Sequence, residues 1–159
     1  MAEEGSKPTN FISLKTVDGE IFHVSPVIVN QIQTVKSLIE TSGSSAVISL
    51  PHVYAYGLVM VLDYLEGKAA TAASDVEEFE TKFMKDMSHD DLKELLVAVG
   101  YLKVDGLQEL VAKNVAKLIE NKSVEFVRKF FGIVNDFTPA EEAKCREEHA
   151  WAFEGVDED

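Results

Sequence analysis

The side chains that most often carry out chemistry in proteins are few in this chain and lie far apart in its sequence. Four histidines occur in separate predicted elements: His23, His52, His89 and His149. None has the short spacing to another ligand or nucleophile that a metal site or a general base requires. The single cysteine, Cys145, lies on a polar segment beside Lys144 and Arg146, and we interpret it as a spectator rather than a nucleophile.

The glycines do not indicate a nucleotide site. Among the nine glycines there is no G-x-G-x-x-G, G-x-x-x-x-G-K-[ST] or G-x-S-x-G spacing, so the sequence predicts neither a phosphate cradle nor a nucleophile elbow. The acidic stretches also lack the alternating carboxylates and the glycine of a calcium loop. We therefore predict that the protein is not an enzyme and has no catalytic residue, no metal site and no cofactor.

The net charge narrows the classes of partner. The 159 residues include 15 Lys+Arg and 28 Asp+Glu, giving a formal net charge of −13. Nucleic acid and anionic membranes both attract basic surfaces, so we expect neither as a partner. The lone cysteine and the polar N-terminus predict a soluble intracellular protein in a reducing compartment.

The charge is also unevenly distributed. Residues 1–80 have 4 basic and 11 acidic side chains, residues 81–138 have 9 of each, and residues 139–159 have 2 basic and 8 acidic. A neutral, apolar-rich middle is typical of a core between solvated ends. It is equally consistent with a binding surface that carries little charge.

The first part of the chain predicts a β-hairpin followed by short helices. Apolar and polar residues alternate over 11–17, and a second short strand is predicted over 20–24. Between them lies Asp18-Gly19, a dipeptide favoured in two-residue hairpin turns. Ser25-Pro26 then supplies a helix cap and a first helical residue, and the apolar spacing over 28–39 predicts one or two short helices.

A third strand and a longer helix complete a β-β-α-β-α order. The strand is predicted over 46–50, and apolar residues at helical spacing over 54–65 predict a helix that ends near Gly67. The small, polar and acidic residues that follow predict a flexible insertion over 67–79.

The second half of the chain is predicted to be helical. Ser88 can cap a helix that Gly100 would end, and the clearest amphipathic pattern, over 107–119, stops at Asn121. Ser123 opens a further helix, and its end is followed by more large apolar residues than one short helix usually covers with its own core: Phe130, Phe131, Ile133, Val134 and Phe137. These residues either close the end of the helical half or form a surface that a partner covers.

The last predicted helix is unusually poor in apolar residues. Thr138-Pro-Ala-Glu141 provides a complete helix start, with a capping hydroxyl, a first-turn proline and a glutamate that reaches back. Apart from alanines, its apolar residues come only at the end, as Trp151 and Phe153. Helices gain most of their stability by packing an apolar face, so this helix either lies loosely on the surface or is completed by a partner, and we predict that it is partly frayed.

The order of these motifs resembles the S-phase kinase-associated protein 1 family, the adaptors of SCF (cullin–RING) ubiquitin ligases, from residue 11 to residue 154. No single stretch is specific, but seven occur in the family's order with similar gaps. They are residues 12–22, 34–36, 50–53, 83–85, 100–102, 135–138 and 146–154. The endings DFTPAEE and WAFE most resemble plant members.

The resemblance implies an α+β fold. A BTB/POZ-like domain, with a small three-stranded sheet and helices, would be followed by a C-terminal helical F-box-binding extension. The implied parts are a flexible N-terminus (1–10), a BTB/POZ-like α/β part (11–66), the flexible acidic insertion (67–79), a helical remainder (80–120), and the extension with an acidic tail (121–159).

The resemblance also implies a bridging role in the cytoplasm and nucleus. A non-catalytic adaptor of this kind holds the N-terminal domain of a cullin on one side and the F-box of a substrate receptor on the other. A RING-box protein joins indirectly through the cullin. Carried over residue by residue, the implied F-box-binding positions are Val115, Ile119, Phe131, Ile133, Asn135, Asp136, Phe137 and Trp151.

The implied cullin-binding positions, Gly100 and Tyr101, include a departure from the family pattern. The family usually has asparagine before this tyrosine, so a hydrogen-bonding amide is absent here. A lost interfacial hydrogen bond costs about 1–3 kcal/mol, so we expect cullin binding to be retained but weakened.

Two other readings stay open. The chain could bind F-box proteins without a cullin and act outside a ligase, a reading that Gly100 favours. A small acidic enzyme has only isolated residues in its favour.

Overall fold

The computed structural model describes residues 10–43 and 47–156. Its three strands and eight α-helices are β1 (Ile12–Thr16), β2 (Ile21–Val24), α1 (Pro26–Val29), α2 (Gln33–Ser42), β3 (Ile48–Leu50), α3 (Ala55–Ala70), α4 (Val76–Lys85), α5 (His89–Leu102), α6 (Asp105–Ile119), α7 (Val124–Phe131) and α8 (Pro139–Glu148). Short 3-10 helices occupy Ala73–Asp75 and Ala150–Phe153. Within the described ranges, no helix combines the length and apolar character that crossing a bilayer requires.

The chain forms two compact units. The first extends to Val111 and the second begins at Ala112, so α6 contributes residues to both. The first unit contains the sheet and helices α1 to α5. The second contains α7, α8 and the 3-10 helix Ala150–Phe153.

The sheet has the strand order β2-β1-β3, with β2 antiparallel and β3 parallel to the central β1. Ile12, Leu14 and Thr16 of β1 are buried, and Leu14 pairs in register with Phe22 on one side and Ile48 on the other. Because alternate strand residues point to opposite faces, this pattern gives the sheet one core face. The predicted hairpin is confirmed, but its turn is centred on Val17-Asp18: the Gly19 amide donates to the Thr16 carbonyl, and Gly19 itself has a φ of 89°.

Helices α3 and α5 pack on each other and supply much of the first unit's core. The side chains of Leu58, Leu65, Leu95 and Leu102 are almost completely buried. Burying a leucine contributes about 1.5–3 kcal/mol, so this pair of helices is a major source of the unit's stability.

Helical turns occupy most of residues 67–79, where the sequence predicts a flexible insertion. Helix α3 continues three residues past Gly67 to Ala70, and α4 begins at Val76. Phe79 of α4 packs beside Tyr64 of α3, with ring centroids 5.9 Å apart. Gly67 therefore does not end a helix, and an aromatic contact explains why the polar segment around it is helical.

Helix α5 begins as predicted and ends later than predicted. The Ser88 hydroxyl accepts from the Asp91 amide, and the Asp91 carboxylate accepts from the Ser88 amide, completing a capping box. Gly100 lies inside the helix, which ends at Leu102 with Lys103 in the left-handed conformation. The predicted cap at Ser25 is different: α1 starts at Pro26, but the Ser25 side chain makes no capping hydrogen bond.

Candidate protein-interaction site

Helix α7 presents two adjacent phenylalanines in opposite environments. Phe130 is buried, whereas Phe131 is 39% exposed, and their rings meet edge to face with centroids 4.9 Å apart. The helix starts where the Ser123 hydroxyl accepts from the Phe126 amide. The sequence prediction of an incompletely covered apolar run is therefore correct for Phe131 and wrong for Phe130.

The segment after α7 leaves the helix at Gly132. Gly132 adopts a φ of 66°, in the left-handed region where glycine is least strained, and the Ile133 amide donates to the Arg128 carbonyl. Because the chain turns away here, the next apolar side chains have no helix to pack on. Ile133 and Val134 are 56% and 83% exposed.

Asn135 organises the loop that carries Phe137. Its side-chain carbonyl accepts from the Phe137 amide at 3.1 Å, and its side-chain amide donates to the Glu142 carboxylate at 3.4 Å. This contact with Asn135 lowers the pKa of Glu142, and Arg128 and Arg146 act in the same direction. These polar contacts fix the backbone of Phe137, whose side chain is 48% exposed.

Helix α8 has the predicted start and no apolar face. The Thr138 hydroxyl accepts from the Glu141 amide, and the Glu141 carboxylate accepts from the Thr138 amide at 2.8 Å, which lowers the pKa of Glu141. No side chain of α8 is buried. Trp151 lies in the following 3-10 helix, rather than in α8, and is 74% exposed.

The remaining positions assigned to F-box binding differ in accessibility. Asp136 is exposed, Ile119 is half-buried and Val115 is buried on α6. In this chain alone Val115 can support the surface but is not accessible to a partner. We define the exposed apolar set as Phe131, Ile133, Val134, Phe137 and Trp151.

The positions assigned to cullin binding lie in the last turns of α5. Gly100 is exposed, and a Cβ built on it would have no neighbouring atom within 4 Å. Tyr101 is half-buried, and its carbonyl accepts from the Thr34 hydroxyl at 2.6 Å. Its ring meets the exposed His52 ring edge to face, with centroids 5.1 Å apart. His52 is a surface neighbour that sequence reasoning missed, because only the fold brings it beside Tyr101.

No catalytic arrangement stands out among the described residues. Over 10–43 and 47–156, no group of three or more His, Cys, Asp and Glu is placed to hold a metal ion. Cys145 is free and half-buried. It lines a small apolar cavity of about 120 Å³ beneath α8, together with Val124, Phe137 and Phe153. The predicted absence of a metal site and a cofactor stays a prediction.

Two family models match the chain at its two ends. Residues 10–69 match the Skp1 family tetramerisation domain, and residues 105–152 match the Skp1 family dimerisation domain. SKP1-like protein 14 of Arabidopsis thaliana is 38% identical over 149 residues, which cover 92% of this chain and 99% of the relative. The chain belongs to the Skp1 family. The sheet and its helices are accordingly the Skp1 POZ fold.

Other Skp1-family relatives are similar over comparable lengths. SKP1-like protein 20 of Oryza sativa subsp. japonica is 33% identical and is aligned over 90% of this chain and 94% of its own. The S-phase kinase-associated protein 1 homolog of Tetrahymena thermophila is 32% identical, and the alignment covers 94% of this chain and 98% of the relative. Members from plants and a ciliate thus align with nearly the whole chain, and the predicted family is confirmed.

The two family models cover the two candidate surfaces unequally. Every position assigned to F-box binding lies inside the Skp1 match over 105–152. Gly100 and Tyr101 lie between the two matched segments.

Proposed function

We propose that this Skp1-family protein is a non-catalytic adaptor in an SCF-type ubiquitin ligase, bridging a cullin to F-box substrate receptors. Family membership supports the general adaptor role. The single observation that carries the F-box half is the exposed apolar set in the second unit, whose members are 39% to 83% exposed. An adaptor needs surfaces that its own fold does not cover, and this set is one.

The chemistry of the exposed apolar set fits an apolar helical partner such as an F-box. Protein interfaces gain most of their affinity from a few large side chains, tryptophan prominent among them, that become desolvated at the centre of the contact. Each such side chain contributes about 1.5–3 kcal/mol when it is fully buried. Trp151 and Phe137 are the strongest candidates because both are large and they are 74% and 48% exposed in the isolated chain.

The charges near this surface are already engaged within the chain. Glu142 contacts Arg128 and Arg146, and Asn135 bonds to both Glu142 and the Phe137 amide. The partner is therefore recognised mainly through apolar contact, with Asn135 holding the loop in shape. Asp136, exposed beside Phe137, would provide a polar contact at the rim.

The cullin half of the proposal centres on Tyr101 and its neighbour His52. The half-buried Tyr101 ring and the exposed His52 ring form an aromatic pair at the surface, and the hydrogen bond from Thr34 fixes the backbone of Tyr101. Gly100 offers no side chain to a partner on this surface. We therefore propose that the cullin binds, but more weakly than it would bind an asparagine at position 100.

A second candidate function is an F-box-binding module that lacks cullin binding and acts outside a ligase. Gly100 favours it, because the missing amide removes a contact only on the cullin side. RING-box protein would then be absent from its assemblies as well. If the chain is the adaptor of the first proposal, we expect it in the cytoplasm and nucleus, where SCF-type ligases would act.

Reconstitution separates the two candidates. The purified chain is mixed with a panel of F-box domains and a cullin N-terminal domain, and complex masses are measured by size-exclusion chromatography with light scattering. A ternary complex supports the adaptor, and a complex with the F-box domain alone supports the second candidate. If no F-box domain in the panel bound, both proposals would be overturned.

A further inference from the structure

Arg146 of α8 makes polar contacts with the elements on both sides of its own helix. Its guanidinium donates to the Glu125 carboxylate of α7 at 2.6 Å and lies 3.5 Å from Glu142 on its own helix. The guanidinium carbon is also 4.7 Å from the centroid of the Phe153 ring, in the 3-10 helix that follows α8. Arg146 thus contacts three successive elements of the second unit.

A second pair joins the same two helices. Arg128 of α7 donates to Glu142 of α8 at 3.5 Å, and these side chains are 18% and 27% exposed. Glu142 also accepts from Asn135 in the intervening loop. We refer to Glu125, Arg128, Glu142 and Arg146 together as the polar clasp.

Apolar packing between α7 and α8 is incomplete. Helix α8 buries no side chain, and the space between it and α7 contains the cavity of about 120 Å³ lined in part by Val124, Cys145 and Phe153. Helices normally dock by apolar contact. Here the pocket between the two helices is partly open to solvent, and charged side chains border it as well as apolar ones: Arg128, Glu142 and Arg146.

We propose that Arg146 is the positioning residue that holds α8 and the 3-10 helix Ala150–Phe153 on α7, and that ionic strength thereby sets the order of this tail. Screening shortens the range of charge interactions from about 8 Å at physiological salt to about 3 Å at 1 M. Docking through apolar contacts is strengthened, or left unchanged, as salt concentration rises. A tail held by the polar clasp therefore loosens as salt rises.

The consequence for partner binding rests on the proposed function. Phe137 lies just before α8 and Trp151 just after it. By holding α8 on α7, the polar clasp therefore fixes the positions of both side chains. An apparent dissociation constant rises as the fraction of molecules in the competent conformation falls. Salt would then weaken F-box binding although the contact itself is apolar.

Hydrogen exchange on the full isolated chain tests the clasp without any partner. Amide exchange over residues 139–153 is measured between about 0.05 and about 1 M sodium chloride, a range over which screening becomes nearly complete. We expect exchange in this segment to accelerate about tenfold, as for the loss of two partly exposed ion pairs and a cation–π contact. Amides of α3 serve as the internal control and should not change.

Two variants with the same charge change identify the responsible residue. Lys144→Gln removes a cation that pairs only with Glu148 inside α8, at 3.8 Å, whereas Arg146→Gln removes the contacts to α7 and Phe153. We expect Arg146→Gln to accelerate exchange at low salt by about threefold to tenfold and to reduce the salt dependence, of which the Arg128–Glu142 pair keeps a part, and Lys144→Gln to do neither. Equal exchange in the two variants, or exchange that salt leaves unchanged, overturns the proposal.

A third variant guards against a general loss of structure. Glu125→Gln leaves Arg146 in place and removes its partner on α7. If the clasp acts as described, Glu125→Gln and Arg146→Gln have non-additive effects on exchange, because they break one shared contact. Additive effects contradict the proposal. None of these measurements requires F-box binding, so a failed clasp and a failed adaptor proposal give different results.

Discussion

The ring of Phe79 lies directly over the backbone of Gly67. A Cβ built on Gly67 would stand 2.6 Å from two ring carbons of Phe79, closer than real Cβ atoms approach other atoms. The glycine therefore lets α3 and α4 come together, and the Phe79 ring in turn packs with Tyr64 and Phe83. Gly100 is the opposite case, a helical glycine with open space around it.

The contrast between these two glycines predicts stability changes of opposite sign. Gly100→Ala should raise the free energy of unfolding by about 0.5–1 kcal/mol, because alanine restricts the unfolded chain and suits an exposed helical site. Gly67→Ala should lower it by about 1–3 kcal/mol, because the added methyl group overpacks against the Phe79 ring. Urea denaturation of both variants measures the difference. A stabilised Gly67→Ala variant would contradict the packing described for α3 and α4.

Gly100→Asn should strengthen cullin binding. Open space around position 100 admits the side chain, and one restored interfacial hydrogen bond is worth about 1–3 kcal/mol, which corresponds to roughly tenfold to a hundredfold in affinity. Titration calorimetry with a cullin N-terminal domain measures the change. Gly100→Ala is the control, because it adds a side chain at the same position without supplying an amide. Equal affinities for the asparagine and alanine variants would defeat the idea.

Glu141, in the first turn of α8, should have a pKa below the ordinary range of a glutamate. The Thr138 amide and hydroxyl bind the Glu141 carboxylate and lower its pKa. A carboxylate whose pKa is lowered by folding stabilises the folded state above its unfolded pKa of about 4.3, and this contribution disappears as pH falls through the lower folded value. The order of α8 is therefore unaffected near neutral pH and declines only below about pH 4.

Carbon-detected NMR of the Glu141 carboxyl group measures that titration directly. Thr138→Ala is the control, because it removes the hydroxyl contact and keeps the backbone amide. The titration midpoint of Glu141 in this variant should move part of the way toward the ordinary glutamate value. A midpoint for the unmodified chain at or above the ordinary glutamate value would show that the capping box does not form in solution.

The elements that sequence reasoning predicted best are those specified by neighbouring residues. The β1–β2 hairpin, the capping boxes at Ser88 and Thr138, and the helix end at Gly132 each depend on a few adjacent side chains and on local backbone geometry. The family resemblance required only that such local motifs occur in the right order. Both kinds of signal can be read without knowing the tertiary structure.

Features that depend on distant residues could not be predicted. A glycine such as Gly67 is consistent with a helix end or with a close contact, and only the position of Phe79 decides between them. The same holds for Val115, which the resemblance assigns to F-box binding and the fold buries. Arg146 and Glu125 are 21 positions apart in the sequence and lie on different helices, so no spacing rule predicts their contact.

The exposed apolar set is the feature on which the adaptor proposal depends, and Phe137 and Trp151 are its best probes. Phe137 is 48% and Trp151 74% exposed, so replacing them with aspartate should leave the overall fold intact. The matched control is the double variant Phe11→Asp/Val27→Asp, which replaces two exposed apolar residues of the first unit and changes the net charge equally.

The most direct test is titration calorimetry of an F-box domain against these variants. The account predicts that Phe137→Asp/Trp151→Asp weakens binding at least about a hundredfold, since each lost contact is worth about 1.5–3 kcal/mol, while the control changes affinity by no more than about twofold. Circular dichroism confirms that both variants are folded. If the Phe137→Asp/Trp151→Asp variant bound the F-box domain as tightly as the unmodified chain, the adaptor account would be wrong.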